Sequence, residues 1–362
     1  MVRIFHELYW LLKERIGAIP GRVIGCIFIA ALCFMPLFTD QEYILRIFIL
    51  ACIYAIFAAS WDFLSGFTGL LNFGHAAFFG VSAYVCGLLS SRFGIPPWLT
   101  IPLGSFVATL MGLLVGAPAL RLRGIYLALV TIAFPTILAG FVFAFPELTG
   151  GELGIFGITP LASSRVVEYY VVLAIMTLAL FIMWKLTDVK SKIVRTGVIF
   201  RSIAQDEITA RACGIQTTKY KFLAFGISGF FAGIAGGLYA HFIKVVGPST
   251  LELLFSFQAI LWTIFGGLGT IYGPVAGVFL LFPFTEFMTL SAVGTEIRFI
   301  LLAVILILTL LFMPEGLTTW VLDRIEVECP RCKLTNAFTR KDCRACGAQL
   351  RQIAQKKTER EQ

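Results

Sequence analysis

The sequence predicts an all-α polytopic membrane protein of about ten transmembrane spans, some broken by glycine, with a small cytoplasmic appendage. Three observations predict it: an excess of apolar residues, many long uncharged stretches, and a one-sided distribution of basic residues. Of 362 residues, 58% are hydrophobic, 35 are Phe and only 14% are charged. A soluble domain carries roughly 45–50% apolar and about 25% charged residues. One soluble core cannot absorb the difference, which excludes a soluble enzyme or regulator over most of the chain.

A helix needs about 20 mostly apolar residues to cross a hydrocarbon core of ~30 Å. Stretches lacking Asp, Glu, Lys and Arg place spans at 22–39, 43–64, 76–92, 97–117, 124–146, 166–186, 220–240, 252–266, 273–290 and 296–313. Residues 1–21 carry charges throughout, and no small-residue cleavage pattern closes the first apolar run. That segment is therefore read as cytoplasmic rather than as a cleaved signal, with residues 8–16 a short amphipathic helix on the membrane. Ten crossings put both termini on one side. With the N-terminus inside, inside segments hold 22 of the 29 Lys and Arg, and outside segments hold Arg92, Arg165 and Lys244. This is the positive-inside bias, and it accounts for the net charge of +8 without a nucleic-acid partner.

The inside segment 187–219 is too polar for lipid and too short for a domain. Ser202 and Gln205 have capping-box spacing, in which each side chain satisfies a free N–H at a helix start. Asp206 and Glu207 then fall in the first turn, Arg211 in the last, and Gly214 follows as a C-cap, all suited to the helix dipole. The spacing predicts a short helix lying along the cytoplasmic face. It is either a plain surface helix or a coupling helix pushed by a soluble motor. No Gly-x-x-x-x-Gly-Lys-Ser/Thr phosphate loop occurs in the chain, so any ATP-driven step belongs to another polypeptide.

Two stretches break the regular spans. Residues 65–80 contain Gly66, Gly69, Gly74 and Gly80 beside Asn72 and His75; the second break runs from Gly266 through Gly267 and Gly269 to Gly273-Pro274. Each helical glycine costs roughly 1 kcal/mol against Ala. Irregular backbone at membrane depth survives only where protein or a watery cavity surrounds it. Such breaks either line a substrate pathway, here Gly69, Asn72, Gly74, His75, Gly267 and Gly269, or permit close packing of helices through small residues. Asp62, near the cytoplasmic end of its span, points to an interfacial ion pair, and Glu286 to a solvent-reaching carboxylate. A third cluster, Thr149-Gly150-Gly151-Glu152-Leu153-Gly154, lies in the longest outside loop, as a flexible connection or an external docking surface.

These elements together resemble the LivM-like permeases of branched-chain amino acid ABC transporters. The matching motifs run in order: Ser60-Trp61-Asp62-Phe63-Leu64, Gly66-Phe67-Thr68-Gly69-Leu70-Leu71, Gly74 to Gly80, Leu120 to Leu129, Thr149-Gly150-Gly151, Ile203 to Ile215, Gly266 to Pro274, and Met313-Pro314-Glu315-Gly316-Leu317. The resemblance covers about residues 45–320. It implies a non-catalytic permease subunit in the plasma membrane of a prokaryote, working by alternating access. It also implies a second related permease, two cytoplasmic ABC ATPases that alone use ATP, and an extracytoplasmic substrate-binding protein. The segment from Ser202 to Gly214 would then be the coupling helix. The substrate class is branched-chain amino acids, with other amino acids, short amides or urea among relatives.

The C-terminal appendage departs from that family pattern, which stops soon after Met-Pro-Glu-Gly-Leu. Residues 325–350 hold Cys329-Pro-Arg-Cys332 and Cys343-Arg-Ala-Cys346. Two Cys-x-x-Cys knuckles supply the four thiolates of a tetrahedral Zn²⁺ site, and about 25 residues need the metal to fold. A rubredoxin-like iron site and a redox pair are the alternatives. Residues 351–362 read as a solvated tail, leaving 22–317 as the permease domain. Two other classes compete with the ABC permease. A self-sufficient secondary transporter or channel would lack the capped inside helix, and a membrane redox enzyme would need more than the separated His6, His75 and His241.

Overall fold

The computed structural model describes residues 20–38, 41–119, 122, 125–188, 195–290, 295–329 and 335–337. The chain is mostly helical, and a helix stands at each of the ten stretches where hydropathy places one. They are α1 (Pro20–Phe38), α2 (Glu42–Thr68), α3 (Ala76–Phe93), α4 (Pro97–Ala119), α5 (Ile125–Ala144), α6 (Arg165–Thr187), then after the polar loop α9 (Thr217–Ile243), α10 (Leu253–Gly266), α11 (Tyr272–Leu290) and α12 (Thr295–Phe312). Among the described residues, seven helical stretches are long and apolar enough to cross a membrane, and Val23–Leu37 and Leu253–Gly266 are shorter apolar helices. The chain is a polytopic membrane protein.

The chain divides into two units. The larger, 40–316, is built around α2, of which Leu45 and nearly every residue from Ile47 to Thr68 is buried. Helices α6, α9, α10 and α11 pack on it, and α3 and α4 complete the layer against α9. Small residues let these helices touch backbone to backbone. A Cβ at Gly112 would lie 2.7 Å from the Phe225 carbonyl oxygen, and one at Gly236 would lie 2.1 Å from that of Phe79. In lipid, van der Waals packing and hydrogen bonds replace the hydrophobic drive between helices, so small residues face inward. The large ones face out: Leu103, Phe106, Leu110 and Leu114 form an exposed stripe on α4.

The smaller unit groups α1 with α13 (Leu317–Ile325) and a hairpin of β3 (Glu326–Glu328) with β4 (Thr335–Ala337). The hairpin is antiparallel, with Glu326 opposite Ala337 and Glu328 opposite Thr335. Cys329 is buried at its tip. Cys332, Cys343 and Cys346 lie outside the described residues, as does most of segment 1–21.

The outside glycine cluster forms a packed cap. Gly150, Gly151 and Gly154 all have positive φ, a conformation that glycine adopts without steric penalty. They turn the chain into β1 (Ile155–Phe156), which pairs with β2 (Val245–Val246). Ile155, Ile158 and Val246 then bury against Ala83 and Cys86.

Candidate functional site: two glycine breaks and a polar loop

Helix α2 ends at Gly69, whose φ of 71° and N–H bond to the Ser65 carbonyl make a left-handed cap. The chain then turns back along α2 instead of leaving the bundle. His75 Nε2 lies 2.8 Å from Ser60 Oγ, two turns before the end of α2, so α3 starts about 12 Å inside that end. Backbone at this depth needs partners, and side chains provide them. Asn72 N–H donates to Ser65 Oγ at 3.4 Å, Phe73 N–H to Thr131 Oγ1 at 3.0 Å, Gly74 N–H to Asn72 Oδ1 at 3.0 Å and Ala76 N–H to Ser256 Oγ at 2.8 Å. Trp61 Nε1–H donates to the Asn72 carbonyl at 2.6 Å.

One assignment of protons fits this network. Ser60 donates to the Phe57 carbonyl at 2.7 Å, so His75 Nε2–H donates to Ser60 Oγ. His75 Nδ1 then accepts from Asn72 Nδ2, 3.4 Å away, and Asn72 Oδ1 is free to accept from Gly74. His75 and Asn72 are fully buried and spend their polar atoms on structure. Gly74 is wedged: a Cβ there would lie 1.9 Å from the Thr131 carbonyl oxygen.

The second break is held differently. Gly267 and Gly269 have φ of 123° and 70°, and Gly269 N–H donates to Asp62 Oδ1 at 2.8 Å. The interfacial ion pair expected of Asp62 gives way to this bond. Asp62 is fully buried, and its Oδ2 has no hydrogen-bond partner among the described residues. Gly66, one turn on, makes the room: a Cβ there would meet Asp62 Oδ1 at 2.0 Å and Gly269 N at 2.7 Å. Gly316 closes on the same turn, where a Cβ would lie 2.3 Å from Gly267 Cα. Glu286 is partly exposed and accepts from Tyr43 Oη at 3.3 Å.

The polar loop holds two short helices, α7 (Thr196–Gln205) and α8 (Glu207–Ala212). The predicted capping box is corrected here. Ser202 lies inside α7 and donates back to the Val198 carbonyl at 2.9 Å, and Gln205 is that helix's last residue. The amphipathic turn Thr196–Phe200 starts the helix earlier than the box signal. The N-cap of α8 is Asp206, whose Oδ1 accepts from Ile208 N–H at 2.8 Å. The Thr209 hydroxyl and the N–H groups of Ile208 and Thr209 hold the Asp206 carboxyl below its usual range. Gly214, with φ of 83°, ends α8 as expected. Its N–H reaches the Arg211 carbonyl and Ile215 N–H the Ala210 carbonyl, which together make a Schellman motif.

Helix α7 packs on the end of α2. Phe200 meets Phe63 edge-on with centroids 5.5 Å apart, the Arg201 guanidinium lies over Phe67, and Ala204 Cα sits 3.3 Å from a Cβ position at Gly69. Asp62, Gly66 and Gly69 are spaced i, i+4, i+7 on one face of α2, so that face touches both the second break and the loop. Sequence reasoning placed Gly69, Gly267 and Gly269 in one group, and the structure does bring them to one end of the bundle. It buries Asn72, Gly74 and His75 deeper. Sequence reasoning missed Lys221, a buried cation one turn into an apolar helix, whose Nζ donates to Glu207 Oε2 at 2.6 Å. A lysine entering an apolar run is itself the signal that a partner exists.

The family described as "Branched-chain amino acid transport system / permease component" matches residues 43–310, three-quarters of the chain. The protein belongs to this permease family. LivM of Salmonella typhimurium, named a high-affinity branched-chain amino acid transport system permease protein, is 28% identical over 78% of this chain and 71% of its own. LivM of Escherichia coli K12 is 29% identical over 74% and 68%. LivH of Methanocaldococcus jannaschii, named a probable branched-chain amino acid transport permease, is 26% identical over 69% and 84%. No solved structure matches. The permease family region takes in both glycine breaks and the polar loop, and it ends before the cysteine-bearing appendage.

Proposed function

We propose that this chain is the membrane-spanning permease subunit of an ABC importer for branched-chain or related amino acids. The family match over residues 43–310 carries the reading. In it, all ten apolar helices cross the membrane, both termini are cytoplasmic, and the membrane is the plasma membrane of a prokaryote. The chain itself catalyses no reaction; two separate ATPases hydrolyse ATP, a second related permease completes the pore, and an extracytoplasmic binding protein delivers the substrate.

The geometry supports a path for force. Helix α8 is capped at both ends and projects Ile208 outward, 67% exposed, where a cytoplasmic partner can press. Displacement there reaches Gly69 through α7, and Gly69 lies on the face of α2 that holds the second break. Alternating access would part the contacts at Gly66, Gly269 and Gly316, which close one end of the bundle in this conformation. The test is purification of the tagged chain in mild detergent with identification of co-purifying subunits. A related permease and an ABC ATPase are expected. A chain that comes out alone and transports without ATP would overturn the reading in favour of a secondary transporter.

For the appendage we propose a structural Zn²⁺ held by Cys329, Cys332, Cys343 and Cys346. The spacing of the two knuckles and the β3–β4 hairpin around the first support it. Full-length protein should carry one equivalent of zinc and lose it when Cys329 and Cys332 become Ser. Stoichiometric iron, or no metal, would sink the zinc assignment.

A further inference from the structure

The polar loop grips two spans by two chemistries. Helix α7 holds α2, and Tyr220 near the start of α9, through rings and small residues, whereas α8 holds α9 through charge. Lys221 of α9 is 7% exposed in its side chain and Glu207 of α8 is 22% exposed, with 2.6 Å between Nζ and Oε2. The other carboxylate oxygen, Oε1, accepts from Arg211 at 2.9 Å and from the Thr217 hydroxyl at 3.2 Å. Arg211 also reaches Thr217 Oγ1 at 3.3 Å. Both oxygens of Glu207 are therefore spent inside the chain, on residues of α8 and α9.

We infer that Glu207 and Lys221 form the strut that delivers movement of α8 to α9, so that Glu207 is a positioning residue rather than a contact for the partner. The inference rests on reading the loop as the place where an ATPase pushes. A six-residue helix has no stability of its own, and caps at Asp206 and Gly214 make α8 a rigid piece. It needs a fixed attachment of its own to α9 if a push on it is to move that span directly. Extended backbone at Asp206, φ −156°, separates α8 from α7. Helix α7 reaches α9 by its own ring contact, Phe200 edge-on to Tyr220 with centroids 6.5 Å apart, so the ionic link is the one that ties α8 itself to α9. Burial drives the Glu207 carboxyl upward, but the Lys221 hydrogen bond and charge, with Thr217 and Arg211, outweigh it and hold the group below its usual range. The strut therefore stays charged at neutral pH.

The experiment is a charge-swap cycle in the complete transporter: Glu207→Lys, Lys221→Glu and the double swap, beside the conservative Lys221→Arg. Uptake per ATP hydrolysed, membrane accumulation and ATPase co-purification are read for each. The strut predicts a loss of coupling of about tenfold in either single swap, with the ATPase still bound, and recovery of most of it in the double swap. Lys221→Arg should stay near wild type. Loss of the ATPase from the Glu207→Lys complex alone would overturn the strut and make Glu207 a partner contact. Unchanged coupling in both single swaps would also overturn it, as would single swaps that fail to accumulate while the double swap accumulates but stays uncoupled. Wild-type uptake without ATP overturns the parent reading and the strut together, so the two failures are distinguishable.

Discussion

The first glycine break, residues 69–75, is held by hydrogen bonds from several directions, whereas the second, 267–271, is tied to α2 through one carboxyl group, that of Asp62, 207 residues from Gly269 in sequence. Ser65, Asn72, Thr131 and Ser256 each take a backbone N–H in or beside the first, and losing any one leaves the others in place. At the second, Asp62 accepts from Gly269, and the carboxylate's other oxygen has no partner among the described residues. Removing the Asp62 carboxyl would strip the second break of its tie to α2, and a buried polar group left unpaired costs about 1–3 kcal/mol. Similar composition thus builds one break anchored by several side chains and another anchored on a single carboxyl group.

The largest effect that would sharpen this contrast comes from Gly74→Leu. With the Thr131 carbonyl oxygen 1.9 Å from any Cβ, overpacking should cost about 3 kcal/mol, and membrane accumulation should fall as far as transport does. Normal accumulation with lost transport would mean that Gly74 lines a path instead. Next is Asp62→Ala, expected to cost about 2 kcal/mol by leaving Gly269 N–H unpaired. Hydrogen exchange should rise at 267–271 and not at 69–75, and equal exchange at both breaks would erase the distinction. Ser60→Ala removes one link of a redundant network, so the melting temperature should reflect only about 1 kcal/mol. A loss matching Asp62→Ala would show the first break to be no more redundant than the second.

The smallest effect separates both breaks from α8, which is held by charge. The Glu207 carboxyl is depressed in the folded protein, so its contribution is present above the unfolded carboxylate value. It is lost as pH falls through the folded value. Proteolysis of the loop near Arg211 should therefore quicken on acidification below the ordinary carboxylate range while α2 and α3 keep their protection. An unchanged cleavage rate would mean that the Glu207 contacts do not hold α8 down.

The helices were legible because apolar runs of membrane length end at charges, Gly or Pro, and the structure starts and stops them within a few residues of those marks. The polar loop was legible in kind and misregistered in detail. Ser202 and Gln205 satisfy the capping-box template, but Gly197, Phe200 and Ile203 form a buried stripe that carries the earlier helix through them, and Asp206 takes the cap. Long-range partners were not legible. Local pattern marks Asp62 as a charge in an apolar helix and has no means of pairing it with a backbone amide in the other half of the chain. Lys221 was detectable as an anomaly, but its partner lies across a turn that only the folded loop closes.

One more consequence follows from the run of donors from Gly74 through Asn72, His75 and Ser60 to the Phe57 carbonyl. Every member points the same way, so rotating the His75 ring breaks two links at once and puts ring carbons where its nitrogens were. Rotating the Asn72 amide sets donor against donor and acceptor against acceptor. The imidazole is therefore locked in one tautomer and one orientation. The nitrogen spectrum of His75 should show a single sharp pair of ring resonances, with the proton on Nε2, even where other side chains of the bundle are averaging between rotamers.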